Sequence, residues 1–274
     1  MPQALILQHP DIASCDLSDF PAVAPYSPTV VRISVPDSFT LPEAAADILA
    51  AQQIDYAVLP DREFADLGLI VSDMDSTLIT IECVDEIAAG VGLKAQVAEI
   101  TERSMRGELD FEQSLRQRVA LLKGLDESVL QTVYDQVLQL SPGAEFLLEA
   151  CKKHQIKFML VSGGFTFFTE RLQRQLGLDY AYANMLETAD GKLTGRLLGR
   201  IIDAQAKADL LIQHREMLGL RPEQVLAMGD GANDIPMLQT AGFGIAYHAK
   251  PKAQAHADAC IRFGGLEAVR GWFR

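Results

Sequence analysis

From residue 67 onward the chain alternates short apolar runs with helix-length amphipathic stretches, and few folds accommodate that alternation. The runs lie at 67–72, 156–161, 224–228 and 243–246, and most are apolar on both faces. Strands buried on both faces are what a parallel sheet covered by helices requires. Helical periodicity fills the intervals at 143–154, 167–176, 206–218 and 235–240. The expected fold is therefore α/β, a doubly wound, Rossmann-like parallel sheet. The stretch from about 84 to 139 breaks the alternation, being helical without a convincing strand, and reads as a helical cap inserted into the sheet core. An Asp190-Gly191 pair predicts a β-hairpin with a type I′ turn.

The first 65 residues have a different texture. Candidate strands at 4–8, 30–35 and 56–59 and a helix over 41–53 are interrupted by Pro10, Pro21, Pro25, Pro28 and Pro36, which suits a small α+β unit. The expected division is an N-terminal unit over 1–65, a core over 66–82 and 140–274, and a cap over 83–139. The polar clusters able to carry chemistry all lie beyond Leu67, so removal of residues 1–65 is expected to leave a folded, active core.

Three such clusters fall at the C-terminal ends of predicted strands, the edge where open α/β sheets bind ligands. The first is Asp73-Met74-Asp75-Ser76-Thr77. In an extended chain residues i and i+2 point to one side, so both carboxylates can face one pocket. Two acids so placed repel unless a cation or a shared proton relieves them. The second is Ser162-Gly163-Gly164, where glycines let backbone N–H groups approach an anion at a helix N-terminus; taken alone it is more often a plain tight turn. The third is Gly229-Asp230-Gly231-Ala232-Asn233-Asp234, followed by Pro236. Proline in a first helical turn makes Asn233 or Asp234 a natural N-cap, but capping does not explain Asp230. Lys207, near the start of a helix, is by itself an ordinary solvated charge. An inventory so rich in oxygen suits Mg²⁺ better than a thiolate- or imidazole-loving metal.

Charge constrains the ligand further. The 274 residues carry 24 Lys plus Arg against 37 Asp plus Glu, a formal net charge of -13. No concentrated basic surface marks a nucleic-acid partner, and an anionic substrate needs positive charge supplied locally. No apolar stretch is long enough for a membrane span. No Lys or Arg precedes Arg32, so a secretory leader is not expected. Cys15, Cys83, Cys151 and Cys260 are too far apart for a zinc site or disulfide framework. A cytoplasmic protein is expected, with a homodimer left open.

Together DMDST, SGG, Lys207 and GDGAND resemble the four motifs of the haloacid-dehalogenase-like phosphatases. The resemblance continues through Glu82, MRGELDFEQSLRQRV, SPGAEFL, VSGGFTFF, LTG and GDGANDIPML, from Leu67 to about Phe273. It does not reach residues 1–65, where some members carry ACT-like amino-acid-binding units; a regulatory role there stays open. The resemblance implies that Asp73 is the nucleophile, forming an aspartyl-phosphate, and that Asp75 is the general acid and then the general base. It implies that Asp73, the backbone carbonyl of Asp75, and Asp230 hold Mg²⁺. Ser162, Gly163 and Lys207 would bind the phosphoryl group, with Asn233 and Asp234 in support.

The cap carries the expected selectivity. Phe111, Leu115, Arg118 and Leu122 share one helical face, so Arg118 interrupts an apolar stripe. Its head either reaches water or forks onto a carboxylate. By resemblance Glu82 takes an ammonium, Arg118 a carboxylate, and Met105 and Phe111 line the pocket, which implies Mg²⁺-dependent hydrolysis of the small molecule O-phospho-L-serine. Another small phosphorylated amino acid or alcohol is the nearest alternative. A phospho-accepting signalling module is a third reading, disfavoured by Asp75; an amino-acid-sensing protein is a fourth, disfavoured by the intact acid set.

Overall fold

The computed structural model describes residues 3–21, 25–106 and 108–274, with the backbone alone at Met105. Its strands are β1 (Gln3–Gln8), β2 (Val30–Val35), β3 (Asp55–Pro60), β4 (Leu69–Ser72), β5 (Lys157–Phe165), β6 (Tyr180–Ala189), β7 (Lys192–Leu198), β8 (Val225–Gly229), β9 (Phe243–Tyr247) and β10 (Ala259–Ile261). They form one sheet in the order β2-β1-β3-β10-β9-β8-β4-β5-β6-β7. The six neighbours from β10 to β6 run parallel, and both flanks are antiparallel.

All four residues of β4 are buried because both faces of the strand are covered. Leu69 and Val71 pack with Leu211, Met237 and Leu238 from helices Ala204–Met217 and Ile235–Thr240. Ile70, on the other face, joins Leu147, Phe168 and Leu172 from helices Ala144–Lys153 and Thr166–Leu176. From β4 the chain crosses to β5 on one side, and β8 later takes the other side. β4 is thus a topological switch point, where an open α/β sheet leaves a crevice beyond its strand ends.

Between β4 and helix Ala144–Lys153 the chain makes four α-helices, Cys83–Gly90, Lys94–Met105, Phe111–Leu121 and Ser128–Gln136. The two connections to the insert pair with each other: Thr80 N–H donates to the Gln139 carbonyl at 3.0 Å and Ser141 N–H to Leu78 at 3.0 Å. Helix Phe111–Leu121 starts at a capping box. The Asp110 carboxylate accepts from Gln113 N–H at 2.8 Å, and the Gln113 side chain accepts from Asp110 N–H at 3.1 Å. The hairpin β6–β7 turns through Asp190 and Gly191 with φ of 50° and 72°, the two positive values a type I′ turn needs.

Three strands, β6, β7 and β10, are not signalled by an apolar run, and only the Asp190-Gly191 turn announces the first two. β6 is mostly half-buried, and β10 has three residues and borrows its pairing from β9 and β3. The N-terminal strands continue the main sheet through β3 and β10, where Tyr56 faces Cys260. Asp55 caps the chain after β10, accepting from Arg262 N–H at 2.7 Å and Gly264 N–H at 2.7 Å. Phe64 N–H donates to the Arg274 carbonyl at 3.0 Å. This attachment changes what truncation should do. A chain beginning at residue 66 leaves β10 as a raw edge and those N–H groups without Asp55, a loss of about 1–3 kcal/mol for the cap alone. The truncated chain is expected to keep its turnover number but melt lower and aggregate more readily. Thermal melts and a steady-state rate check this; a folded product with no turnover would show that the N-terminal strands help to build the site. Among the described residues, no helix is long and apolar enough to cross a membrane.

Candidate active site

Asp73 follows β4 in extended conformation, its N–H donating to the Met228 carbonyl of β8 at 3.0 Å. Its Oδ1 accepts from Met74 N–H at 2.7 Å. The chain then turns sharply through Ser76, whose φ of 54° is rare for a residue with a side chain. Two bonds hold that conformation: Ser76 N–H to the Ile81 carbonyl at 3.1 Å, and Ser76 Oγ to Glu82 Oε1 at 2.7 Å. The turn ties Glu82 to the site, although Glu82 itself is exposed. Asp75 is half-buried, and its Oδ1 has no hydrogen-bond partner.

Lys207 is 0% exposed, far from the solvated charge its residue type suggests. Asp203 caps its helix, accepting from Ala206 N–H at 2.8 Å, which points the first turn at the strand ends. The ammonium lies 2.9 Å from Asp73 Oδ2 and 2.7 Å from Asp234 Oδ1. The second oxygen of Asp234 accepts from Asp230 N–H at 3.1 Å and Gly231 N–H at 3.0 Å. Asp234 makes no side-chain cap to the following helix; it turns back to hold the 230–231 loop, so the N-cap expectation is corrected for this residue. Asn233 is half-buried beside Gly231, whose added Cβ would lie 2.3 Å from Asn233 Oδ1. Lys207→Met should therefore be severe for the fold itself, leaving two buried carboxylates unpaired at a loss of about 3–5 kcal/mol. Urea unfolding of the chelated protein measures it, and an unchanged midpoint would mean that another group compensates.

The Ser162-Gly163-Gly164 segment departs from the tight turn expected at a helix N-terminus. It stays within β5, where the register against β6 shifts between Val161 and Phe165. This bulge frees the segment from the ladder beside the site. Ser162 Oγ accepts from Gly164 N–H at 2.8 Å, so its own hydrogen remains free to donate. Gly163 lets the Phe111 ring of the insert come close, since an added Cβ would lie 2.8 Å from its tip and the ring would have to shift. The same contact brings the insert against this loop. Asn184, which no sequence motif singles out, bonds to Gly163 through its buried amide.

From the insert, Arg118 stands on the stripe formed by Leu115 and Leu122, both buried. Its Nε is buried without a hydrogen-bond partner. The charges facing it are Asp85, Glu82 and Asp75, none in direct salt-bridge contact. The Met105 side chain, expected to line the pocket, lies outside the described residues.

The electrostatics show a site short of positive charge. Burial, then Asp234, pushes the Asp73 carboxyl well above its usual range against the pull of Lys207. Burial, with Glu82 second, raises Asp75 to about 7. Burial, then Asp234 and Glu82, raises Asp230 to about 7. Burial opposes the charge on Lys207, but Asp234 and Asp73 outweigh it and raise the ammonium. Carboxylate oxygens of Asp73, Asp230 and Asp234 lie within 4.8 Å of one another. Lys207 and the 230–231 amides engage both Asp234 oxygens, Met74 N–H and Lys207 each take one lone pair of an Asp73 oxygen, and Asp230 keeps the open carboxylate. An all-oxygen donor set crowded with negative charge fits a hard divalent cation.

Residues 67–242 match the haloacid dehalogenase-like hydrolase family. The phosphoserine phosphatase of Polaromonas sp. (strain JS666) is 53% identical over 215 residues, covering 77% of this chain and 91% of its own. A HAD family hydrolase from Salmonella enterica serovar Typhi superposes with a TM-score of 0.89 at 32% identity, over 100% of this chain and 98% of that one. A phospho-aspartyl intermediate analogue of phosphoserine phosphatase superposes with a TM-score of 0.71 at 39% identity, over 76% of this chain and 99% of that one.

Proposed function

Since the chain belongs to the haloacid dehalogenase-like hydrolase family, we propose that it hydrolyses O-phospho-L-serine to L-serine and inorganic phosphate in the cytoplasm. One observation carries this reading: at the end of β4, the Asp73 carboxylate is held 2.9 Å from a buried ammonium, beside a second carboxyl raised to about 7. Asp73 attacks phosphorus, and the bond from phosphorus to the serine oxygen breaks. Asp75, protonated near neutrality, gives its proton to that leaving oxygen. The phosphoryl group now rests on Asp73 as an acyl phosphate, and Asp75, now ionised, takes a proton from the attacking water. Phosphate leaves and Asp73 is restored. Covalent catalysis thereby splits one hard displacement into two easier ones.

Lys207 and the Ser162 hydroxyl face the phosphoryl oxygens, Gly163 keeps the loop close, and Asn233 supports the opposite wall. Asp73, Asp230 and the backbone carbonyl of Asp75 would hold Mg²⁺, which when bound neutralises charge on the phosphoryl oxygens.

The substrate's amino-acid end meets the insert. Glu82 takes the ammonium, Arg118 the carboxylate, and Phe111 walls the pocket. A half-buried arginine whose buried Nε lacks a partner is suited to a ligand that supplies one. Arg118→Ala should lower kcat/KM for phosphoserine roughly tenfold to hundredfold, with far less loss on phosphoethanolamine, which lacks the carboxylate. Glu82→Gln should impair both. Equal losses on both substrates in Arg118→Ala would place Arg118 on the phosphate or in the fold. Steady-state rates on L-phosphoserine, phosphothreonine, phosphoethanolamine and p-nitrophenyl phosphate test the function itself. A clear preference for one of the others would overturn the phosphoserine assignment.

A further inference from the structure

Asn184 lies on β6 opposite Phe165, where β5 bulges, and it is 1% exposed. The bulge takes Gly163 out of register with β6, so its carbonyl needs another donor. Asn184 Nδ2 donates to that carbonyl at 2.9 Å. Its Oδ1 accepts from Ile202 N–H at 2.8 Å. Ile202 immediately precedes Asp203, the cap of the helix that carries Lys207. One buried amide thus spans the two segments that flank the phosphoryl site. The segments are also adjacent: a Cβ placed on Gly163 would lie 3.8 Å from the Ile202 carbonyl oxygen. Its side-chain amide offers a donor and an acceptor on one short, planar, uncharged group, and Gln would carry that group one methylene further from the strand.

We propose that Asn184 is a positioning residue for phosphoryl transfer, setting the distance between the Ser162–Gly163 loop and Lys207. It touches neither substrate nor the reacting atoms. It acts by fixing the spacing of groups that do, and small misplacements of such groups are costly in rate. The inference rests on the phosphatase reading and adds a prediction that differs in kind from the one for Arg118. Arg118 acts on one end of one substrate, whereas Asn184 acts on the phosphate that every substrate shares.

The test uses the full chain with two variants. Asn184→Ala removes both bonds. Asn184→Asp keeps the acceptor for Ile202 N–H and sets an oxygen against the Gly163 carbonyl, so it disturbs the loop alone and stands in should the alanine variant fail to fold. Both are expected to lower kcat/KM for phosphoserine and p-nitrophenyl phosphate by the same factor, roughly tenfold to hundredfold. Calorimetric affinity for inorganic phosphate, with Mg²⁺ present, should fall in parallel. A merely structural role would lower the melting temperature and leave phosphate affinity unchanged well below it. Folded variants with wild-type kcat/KM and phosphate affinity would overturn the proposal, as would a loss confined to phosphoserine. Should the wild-type protein turn over no phosphomonoester, the parent reading fails instead. The phosphate titration then still decides for or against Asn184.

Discussion

Asp73→Asn is expected to lower turnover of phosphoserine by roughly 10⁴-fold or more, the scale seen when a nucleophile is removed. An amide is a poor nucleophile, and it loses the charge that Lys207 faces at 2.9 Å. Asp75→Asn should behave differently, slowing formation and breakdown of the phosphoenzyme while substrate still binds. The fold should survive the change at Asp73. Burial and Asp234 hold that carboxyl above its ordinary range, so the folded protein binds its proton more tightly than the unfolded chain does. An acid shifted upward gives stability that is present at low pH and lost as pH rises above the unfolded value toward the folded one. The chelated wild-type protein should therefore lose stability relative to Asp73→Asn as pH rises above the usual carboxylate range, although the variant gives up the 2.9 Å contact with Lys207. Steady-state rates and melts across pH check both halves. Substantial turnover by Asp73→Asn, with contamination excluded, would remove Asp73 from the nucleophile's role.

What the sequence makes legible is the sheet's ligand edge. Leu69, Ile70 and Val71 are apolar on both faces, and a run of that kind ending at once in Asp73 and Asp75 marks a buried strand that opens on a polar crevice. The same holds for β8 and Asp230. The helical insert is legible because residues 84–139 are helical without a convincing strand, while the Asp110–Gln113 capping box that starts its third helix emerges in the structure. What is not legible depends on contacts distant in sequence. Lys207 looks like a surface lysine until Asp73 and Asp234 close around it from two other segments. Asp234 looks like a helix cap because its neighbours are cap-like, yet Lys207 and the 230–231 amides compete for its oxygens and win. Asn184 sits in a strand with no motif about it, and only the bulge in β5 gives its amide something to do. β10 exists because β9 and β3 present edges to it, and three residues carry no periodicity of their own.

Removing the divalent cation should abolish turnover, for reasons rooted in the crowding of charge. Carboxylate oxygens of Asp73, Asp230 and Asp234 lie within 4.8 Å of one another, and among these groups Lys207 supplies one positive charge against three negative ones. At that separation, with the effective dielectric of a partly buried site, each like-charge pair is unfavourable by about 3–4 kcal/mol. A phosphate dianion entering such a site adds to the repulsion, and the net charge of -13 over the whole chain does not help it. Asp75 and Asp230, both raised to about 7, already register the deficit. After chelation and dialysis the protein should show no turnover, and Mg²⁺ should restore it. Ca²⁺ should restore little, because it accepts carboxylates in bidentate fashion and Asp73 needs one oxygen free to attack. A second readout does not depend on catalysis. An Mg²⁺ ion held by these carboxylates in the folded state alone would make the melting temperature climb with its concentration. That climb should be weakened in Asp230→Asn, which removes an open carboxylate while leaving Lys207 paired with Asp73 and Asp234. Full turnover in excess chelator would sink the requirement. A melting temperature indifferent to Mg²⁺ in the wild type would mean that these carboxylates are relieved by protons rather than by a cation.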